Sequence, residues 1–336
     1  MRVLSVVGNR PQFIKSAPLS VALRDAGIDE VVVHTGQHWD PEMSQVFFDE
    51  LGIPEPAHRL DLRTSEIDAM TAAVRDLVGH ERPDWVLVYG DTNSTAAGAR
   101  AAGDVPIAHV EAGLRSFDLS MPEERNRIEV DRLSTLLLCP DERSARQLEA
   151  EGVTGRREVV GDVMADATRL FAPIARRRAP VVEPPYTAVT IHRQANTEPD
   201  RLRRIVAALN GCDRRLAFPV HPRTAHVLDE QRIELGPDVV RLDPLGYLEM
   251  LSLVASADAV VTDSGGLQKE AYWLRVPCVT VRPNTEWVDT VAAGANVLVE
   301  PEGVDEALRA AVFPAVAPPL YGDGYAAERV TAALYI

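Results

Sequence analysis

Asp258-Ala259-Val260-Val261-Thr262-Asp263-Ser264-Gly265-Gly266-Leu267-Gln268-Lys269-Glu270-Ala271 decides how the rest of the chain is read. Its apolar run, 259–261, reads as a buried parallel strand, followed by a polar Ser-Gly-Gly turn and then a helical pattern. A strand that turns through glycines into a helix is a ready anion site. Free N–H groups and the positive end of the helix dipole face the ligand, and the missing Cβ atoms let a phosphate approach. Ser264, Gly265 and Gly266 are therefore expected to hold a nucleotide diphosphate, and Glu270, further into the helix, to accept hydrogen bonds from sugar hydroxyls.

Outward from this turn the same grammar repeats. Strand-like runs at 3–7, 31–35, 85–89, 107–110 and 135–139 precede a proline-containing stretch, 176–185, and runs at 188–191, 216–220, 239–242, 259–262, 278–281 and 297–299 follow it. Helical patterns such as 13–26, 67–78, 142–151 and 201–209 lie between them. That alternation predicts an α/β protein with two doubly wound parallel sheets, each covered by helices on both faces. The expected division is residues 1–175 and 176–320, with 321–336 as a terminal segment. Ligands of such sheets bind beyond the carboxyl ends of the strands, and the polar motifs follow strands in just this way. Arg10, Gln37-His38, Gly90-Asp91 and Glu111-Ala112-Gly113 do so in the first half, and His192-Arg193, His221-Pro222 and Asp263-Ser264 in the second. Two such edges facing one another would line a polar interdomain cleft.

Bulk properties narrow the partners. A chain of 336 residues with 46% hydrophobic residues has the composition of a globular protein of two ordinary domains. The net charge of −15 argues against nucleic acid or an anionic membrane surface as partner, while leaving room for a local phosphate site. No run reaches the length of a membrane span, and the apolar stretch at 3–7 is too short for a secretory core. Cys139, Cys212 and Cys278 are scattered without metal-ligand spacing, which suggests buried thiols and a cytoplasmic location.

Read singly, the candidate side chains remain ambiguous. Asp91, Glu111 and the pair Glu123-Glu124 supply carboxylates that could divide acid and base roles at a cleft, or each could cap or solvate a helix start. Metal binding is a weaker alternative, because the histidines stand alone. His192 at a strand end is either structural or a phosphate contact, and the neighbouring Arg193 favours the contact. His38 and His221 are equally well explained as turn caps. Arg10, Lys15 and Arg282 lie close to strand ends, where a guanidinium suits bidentate contact with phosphate.

Taken together, eight runs in register resemble the non-hydrolysing UDP-N-acetylglucosamine 2-epimerase family. They are Gly8-Asn9-Arg10-Pro11-Gln12-Phe13-Ile14-Lys15, Thr35-Gly36-Gln37-His38, Gly90-Asp91-Thr92-Asn93-Ser94-Thr95, His109-Val110-Glu111-Ala112-Gly113-Leu114-Arg115-Ser116, Pro122-Glu123-Glu124-Arg125-Asn126-Arg127, Gly161-Asp162-Val163, His192-Arg193-Gln194, and 262–271. The resemblance implies two Rossmann-like domains in the glycosyltransferase B arrangement, with the 324–334 segment packing back on the first as a helix. It implies inversion at C2 of UDP-GlcNAc to give UDP-ManNAc, a UDP-sugar as the bound partner, a homodimer, and no metal or redox cofactor. Carried over by motif, Asp91, Glu111, Glu123 and His192 are the catalytic set. Arg10, Lys15, Leu245, Met250, Ser264, Gly265, Gly266, Glu270 and Arg282 are the substrate-binding set, with Leu245 and Met250 where the family holds uracil.

Several positions depart from the commonest family pattern. Gln12 replaces a usual Glu, as in a branch that includes enzymes for modified UDP-sugars such as diacetamido-uronates. Ala195 also replaces a usual Glu, residues 60–67 lack a glycine-rich stretch, and the segment after His38 differs from members with an allosteric second site. Two other readings stay open: a hydrolysing relative that releases ManNAc, and a glycosyltransferase of the same fold. A module that only binds is the remaining alternative.

Overall fold

Residues 1–38, 51 and 55–335 are described by the computed structural model of the chain. The segment after His38, where the allosteric comparison applied, lies outside the described residues up to Glu50. Among the described residues two parallel sheets form. The first contains β1 (Arg2–Val7), β2 (Asp29–His34), β3 (His58–Arg59), β4 (Trp85–Tyr89), β5 (Ile107–Val110), β6 (Leu136–Cys139) and β7 (Arg156–Val159), ordered β3-β2-β1-β4-β5-β6-β7. The second contains β8 (Thr187–Thr190), β9 (Leu216–Pro219), β10 (Val239–Leu242), β11 (Ala259–Thr262), β12 (Cys278–Thr280) and β13 (Asn296–Leu298), ordered β10-β9-β8-β11-β12-β13.

The central strands are buried on both faces, so Val, Leu and Ile run through them without polar alternation. Leu4, Val6, Val33, Val86 and Val88 pack with the helices of the first sheet. Val189, Phe218, Val261 and Val279 do the same in the second. The edges differ. β3 has only two residues, and β7 begins Arg156-Arg157 with no fully buried position. Neither has the apolar run by which a strand is recognised, and so neither is expected from the sequence. Charged residues on β7 also discourage pairing with another chain.

The chain forms two compact units, residues 1–169 with 321–336, and residues 170–320. Their boundary falls inside the Val163–Ala175 helix, upstream of the proline-containing stretch that marks the expected boundary. In the first unit the Ala326–Ala333 helix packs on the Arg10–Asp25 helix. Its N-terminus donates from Ala326 and Ala327 N–H to the buried Asp166 carboxylate at 3.0 and 2.8 Å. No helix among the described residues is long and apolar enough to cross a membrane.

In each sheet the chain builds outward from one strand and then reverses to build the other way. The reversal lies between β1 and β4 in the first sheet and between β8 and β11 in the second. Crossover helices diverge there, leaving a crevice at the carboxyl ends of the two strands. Arg10 and Asp91 follow β1 and β4, and His192 and Ser264 follow β8 and β11. The topology thus puts the polar motifs where a doubly wound sheet accepts ligands.

Candidate functional site

In the first unit the candidate residues form a linked charge cluster. Arg10 and Lys15 lie on the helix after β1, where Asn9 caps the first turn by accepting from Gln12 N–H. The Gln12 side chain is itself buried. Its oxygen accepts from Gly8 N–H at 2.8 Å, and its nitrogen donates to Tyr89 O and Thr95 Oγ1 at 3.0 Å each. Gln12 therefore ties the turns after β1 and β4 together, and a carboxylate there could not donate these two bonds.

Lys15 Nζ donates to Glu111 Oε2, with both side chains largely buried. Burial works against the charge on Lys15, but Glu111 and Asp91 outweigh it and hold the amine above its ordinary value. Gly90 leaves room for this pair: a Cβ there would stand 3.3 Å from Lys15 Nζ, on a backbone with φ of +63°. Glu111 adopts a positive φ of 71°, which is costly for a residue with a side chain. Its N–H and that of Ala112 both donate to Leu138 O, at 3.0 and 3.1 Å, which pins the turn.

Asp91 is paired with Arg127 on the Pro122–Leu133 helix, and Asn126 from the same helix donates to Asp91 O at 3.1 Å. Burial raises the Asp91 carboxyl above its usual range, opposed by Arg127 and Lys15 and reinforced by Glu111 and Glu123. Arg127 also pairs with Glu124 at 2.6 Å, whose carboxylate accepts from Ser116 and Phe117 N–H at 3.0 Å each. The two adjacent glutamates are therefore unlike. Glu124 is buried and structural in its contacts, whereas Glu123 is exposed and acts on Asp91 through its charge.

The second unit contains the Ser264 turn expected to hold an anion. Ser264 caps the Gly265–Leu274 helix by accepting from Leu267 N–H at 3.4 Å. Asp263, fully buried at the end of β11, accepts from His192 N–H at 3.1 Å, Arg193 N–H at 2.9 Å and Asn196 Nδ2 at 3.0 Å. It also lies 3.3 Å from His192 Nδ1, so one carboxylate orients both backbone and ring after β8. Arg282 makes a two-pronged contact with Glu286 at 3.0 and 2.9 Å. Arg193 lies 3.9 Å from the same carboxylate, and burial and the nearby Arg282 lower its pKa. A Cβ at Gly265 would meet Trp287 Nε1 at 3.3 Å, Arg193 Nη2 at 3.6 Å and Glu286 Oε2 at 3.8 Å. Arg193, Trp287 and Glu286 thus stand beside the start of the helix at Gly265, with Arg282 paired to Glu286. Glu270 is half-buried on that helix.

Leu245 and Met250 stand apart from this turn in the sheet order, because they follow β10, which β9 and β8 separate from β11. Both are half-buried, and the Tyr247–Ala255 helix carrying Met250 packs against the Gly265–Leu274 helix. Among the described residues no group of three or more His, Cys, Asp or Glu is placed to hold a metal ion. Arg127, Asp263 and Glu286 have site contacts to which the sequence reading assigned no role, and Glu124, one of the pair of candidate carboxylates, is held by Arg127 and two backbone N–H groups. For Asp263 the available signal was a carboxylate directly ending an apolar strand.

The family profile described as UDP-N-acetylglucosamine 2-epimerase matches residues 21–335. The chain is 43% identical to a UDP-2,3-diacetamido-2,3-dideoxy-D-glucuronate 2-epimerase of Pseudomonas aeruginosa, covering 98% of each. It is 37% identical to a UDP-N-acetylglucosamine 2-epimerase of Methanocaldococcus jannaschii, covering 89% of this chain and 88% of that one. A crystal structure of a UDP-GlcNAc 2-epimerase from that organism, in complex with UDP-GlcNAc and UDP, aligns with a TM-score of 0.87 at 36% identity. The alignment covers 100% of this chain and 99% of that one.

Proposed function

Because the chain belongs to the UDP-N-acetylglucosamine 2-epimerase family, we propose that it inverts C2 of a UDP-linked 2-acetamido sugar, UDP-GlcNAc to UDP-ManNAc in the simplest case. The observation that carries this reading is two unlike carboxylates at the carboxyl edge of neighbouring strands of the first sheet, Asp91 after β4 and Glu111 after β5. Asp91 is raised by burial and paired with Arg127, while Glu111 is paired with the Lys15 ammonium. Two carboxyls in different environments can hold different protonation states, as acid and base must.

The C2 proton does not lie beside a carbonyl, so its direct removal is difficult. In the proposed reaction the C1–O bond to UDP breaks first and the electron pair leaves with the β-phosphate. Positive charge developing at C1 acidifies C2–H, and a carboxylate takes the proton as C1=C2 forms, giving a 2-acetamidoglucal. Delivery of a proton to the opposite face of C2, with return of the phosphate oxygen to C1, gives the epimer. Atoms and electrons balance without oxidation or reduction. Ser264, Gly265, Gly266, Arg282, His192 and Arg10 stabilise the departing UDP and retain it, through N–H groups and cations that strengthen as charge develops. Asp91, Glu111 and Glu123 carry the proton transfers, with Lys15 and Glu270 on the sugar. Leu245 and Met250 hold the uracil. The protein acts as a cytoplasmic homodimer in this reading, which light scattering after size exclusion measures.

The Pseudomonas aeruginosa relative supports a second substrate, the 2,3-diacetamido-glucuronate analogue, since the identity extends over 98% of both chains. Incubation of each UDP-sugar in deuterated water tests both. Epimer with deuterium at C2 and intact nucleotide is expected. Free UDP with released ManNAc would instead assign a hydrolysing enzyme, and unchanged material with both sugars would overturn the reading.

A further inference from the structure

The turns that carry Asp91 and Glu111 share an anchor behind them. His109, on β5, is fully buried. Its Nε2 lies 2.7 Å from Gly90 O, in the turn before Asp91. Its Nδ1 lies 2.8 Å from Asp131 Oδ1, also fully buried, on the Pro122–Leu133 helix. The other oxygen of Asp131 accepts from Gly113 N–H at 3.3 Å, in the turn after Glu111, and from Arg115 Nη1 at 2.7 Å. Arg115 continues to Glu151 at 2.8 and 2.6 Å.

Both ring nitrogens of His109 face acceptors. A carbonyl oxygen can only accept, and Asp131 already accepts from an amide and a guanidinium. The ring bridges the two, and the network continues from Asp131 through Arg115 to Glu151, so the buried Asp131 carboxylate faces a guanidinium.

The turns it holds need holding. Gly90, Glu111 and Gly113 all have positive φ, at 63°, 71° and 84°. Such conformations persist where surrounding contacts fix them. From one buried pair, one bond reaches the Asp91 turn and another reaches the Glu111 turn. We infer that His109, with Asp131, is a positioning residue that sets the spacing of the two proton-transferring carboxylates without touching the substrate. This rests on the assignment of Asp91 and Glu111 above.

Two substitutions separate positioning from mere packing. The amide nitrogen of His109→Gln can stand in for Nε2 and keep the bond to Gly90 O. That of His109→Asn can stand in for Nδ1, keeping Asp131 but releasing Gly90. Purified variants are compared for kcat, KM, UDP affinity, melting temperature and deuterium entry at C2. The expected result is a loss in kcat and deuterium entry of about 10- to 100-fold for His109→Asn, the scale of a misplaced reacting group. His109→Gln recovers a large part of it, and KM and UDP affinity stay unchanged in both. Equal losses in the two variants, or losses that follow melting temperature, would overturn the inference. If the unmodified protein turns over neither UDP-sugar, the functional reading fails instead.

Discussion

Lys15 and Glu111 are ion-paired from opposite sides of β4: one rises from the helix after β1, the other ends β5, and β4 lies between those strands. The pairing gives a carboxylate in a largely buried place a cationic partner. Glu111→Gln removes a carboxylate proposed to transfer a proton while nearly preserving shape. It is expected to lower kcat by about 100-fold or more, the usual worth of general acid–base catalysis. UDP affinity, measured by calorimetry, should not change, because Glu111 is assigned to proton transfer at the sugar and not to the nucleotide. A variant with ordinary kcat would remove Glu111 from the proton-transfer set.

Asp263 predicts the complementary pattern. It accepts two backbone N–H groups and the Asn196 amide while facing His192 Nδ1. Asp263→Asn turns a donor toward donors and removes the charge. A loss of about 1–3 kcal/mol in stability is expected, as for breaking hydrogen bonds to a charged group. UDP affinity should fall with it, because His192 and Arg193 lose their orientation. Retained UDP affinity alongside a lowered melting temperature would confine Asp263 to a structural role.

The polar strand ends were legible because each interrupts an apolar run, and a parallel sheet leaves its carboxyl edge for ligands. What was not legible depended on phase and edge. Glu123 and Glu124 are neighbours at a helix start, and 3.6 residues per turn send their side chains in directions about 100° apart. Nothing local says which faces inward; packing of the Pro122–Leu133 helix buries Glu124 and leaves Glu123 exposed. His109 was hidden differently. It lies in a strand buried on both faces, where apolar neighbours give no sign that one side chain is hydrogen-bonded at both ends. β3 and β7 lacked the apolar signal altogether.

Gly265 and Gly266 should respond differently to alanine. A Cβ at Gly265 presses on Trp287, whereas at Gly266 the nearest atom is Ser264 Oγ at 4.0 Å. Gly266→Ala therefore has room in the empty protein and gains helix propensity of about 0.5–1 kcal/mol. A melting temperature unchanged or raised is expected without nucleotide. The added methyl fills the approach a phosphate needs, so UDP affinity should fall by about tenfold, equivalent to about 1.4 kcal/mol. Unaltered affinity would place the diphosphate elsewhere.

Asp166 links pH to docking of the terminal helix of the first unit. Its carboxyl is pushed up to about 6 by burial, although the Ala326 and Ala327 amides favour the charged form. Because the folded group titrates above its ordinary 3.8, its contribution to stability is complete below that value and is lost as the pH rises through about 6. A shift of about two units corresponds to on the order of 3 kcal/mol. Asp166→Asn keeps an acceptor oxygen but cannot titrate. The melting-temperature difference, variant minus unmodified protein, should therefore move in the variant's favour between about pH 4 and pH 7, since only the unmodified protein loses this contribution. A difference that stays flat, or moves the other way, would show that the Asp166 carboxyl is not raised in the folded protein.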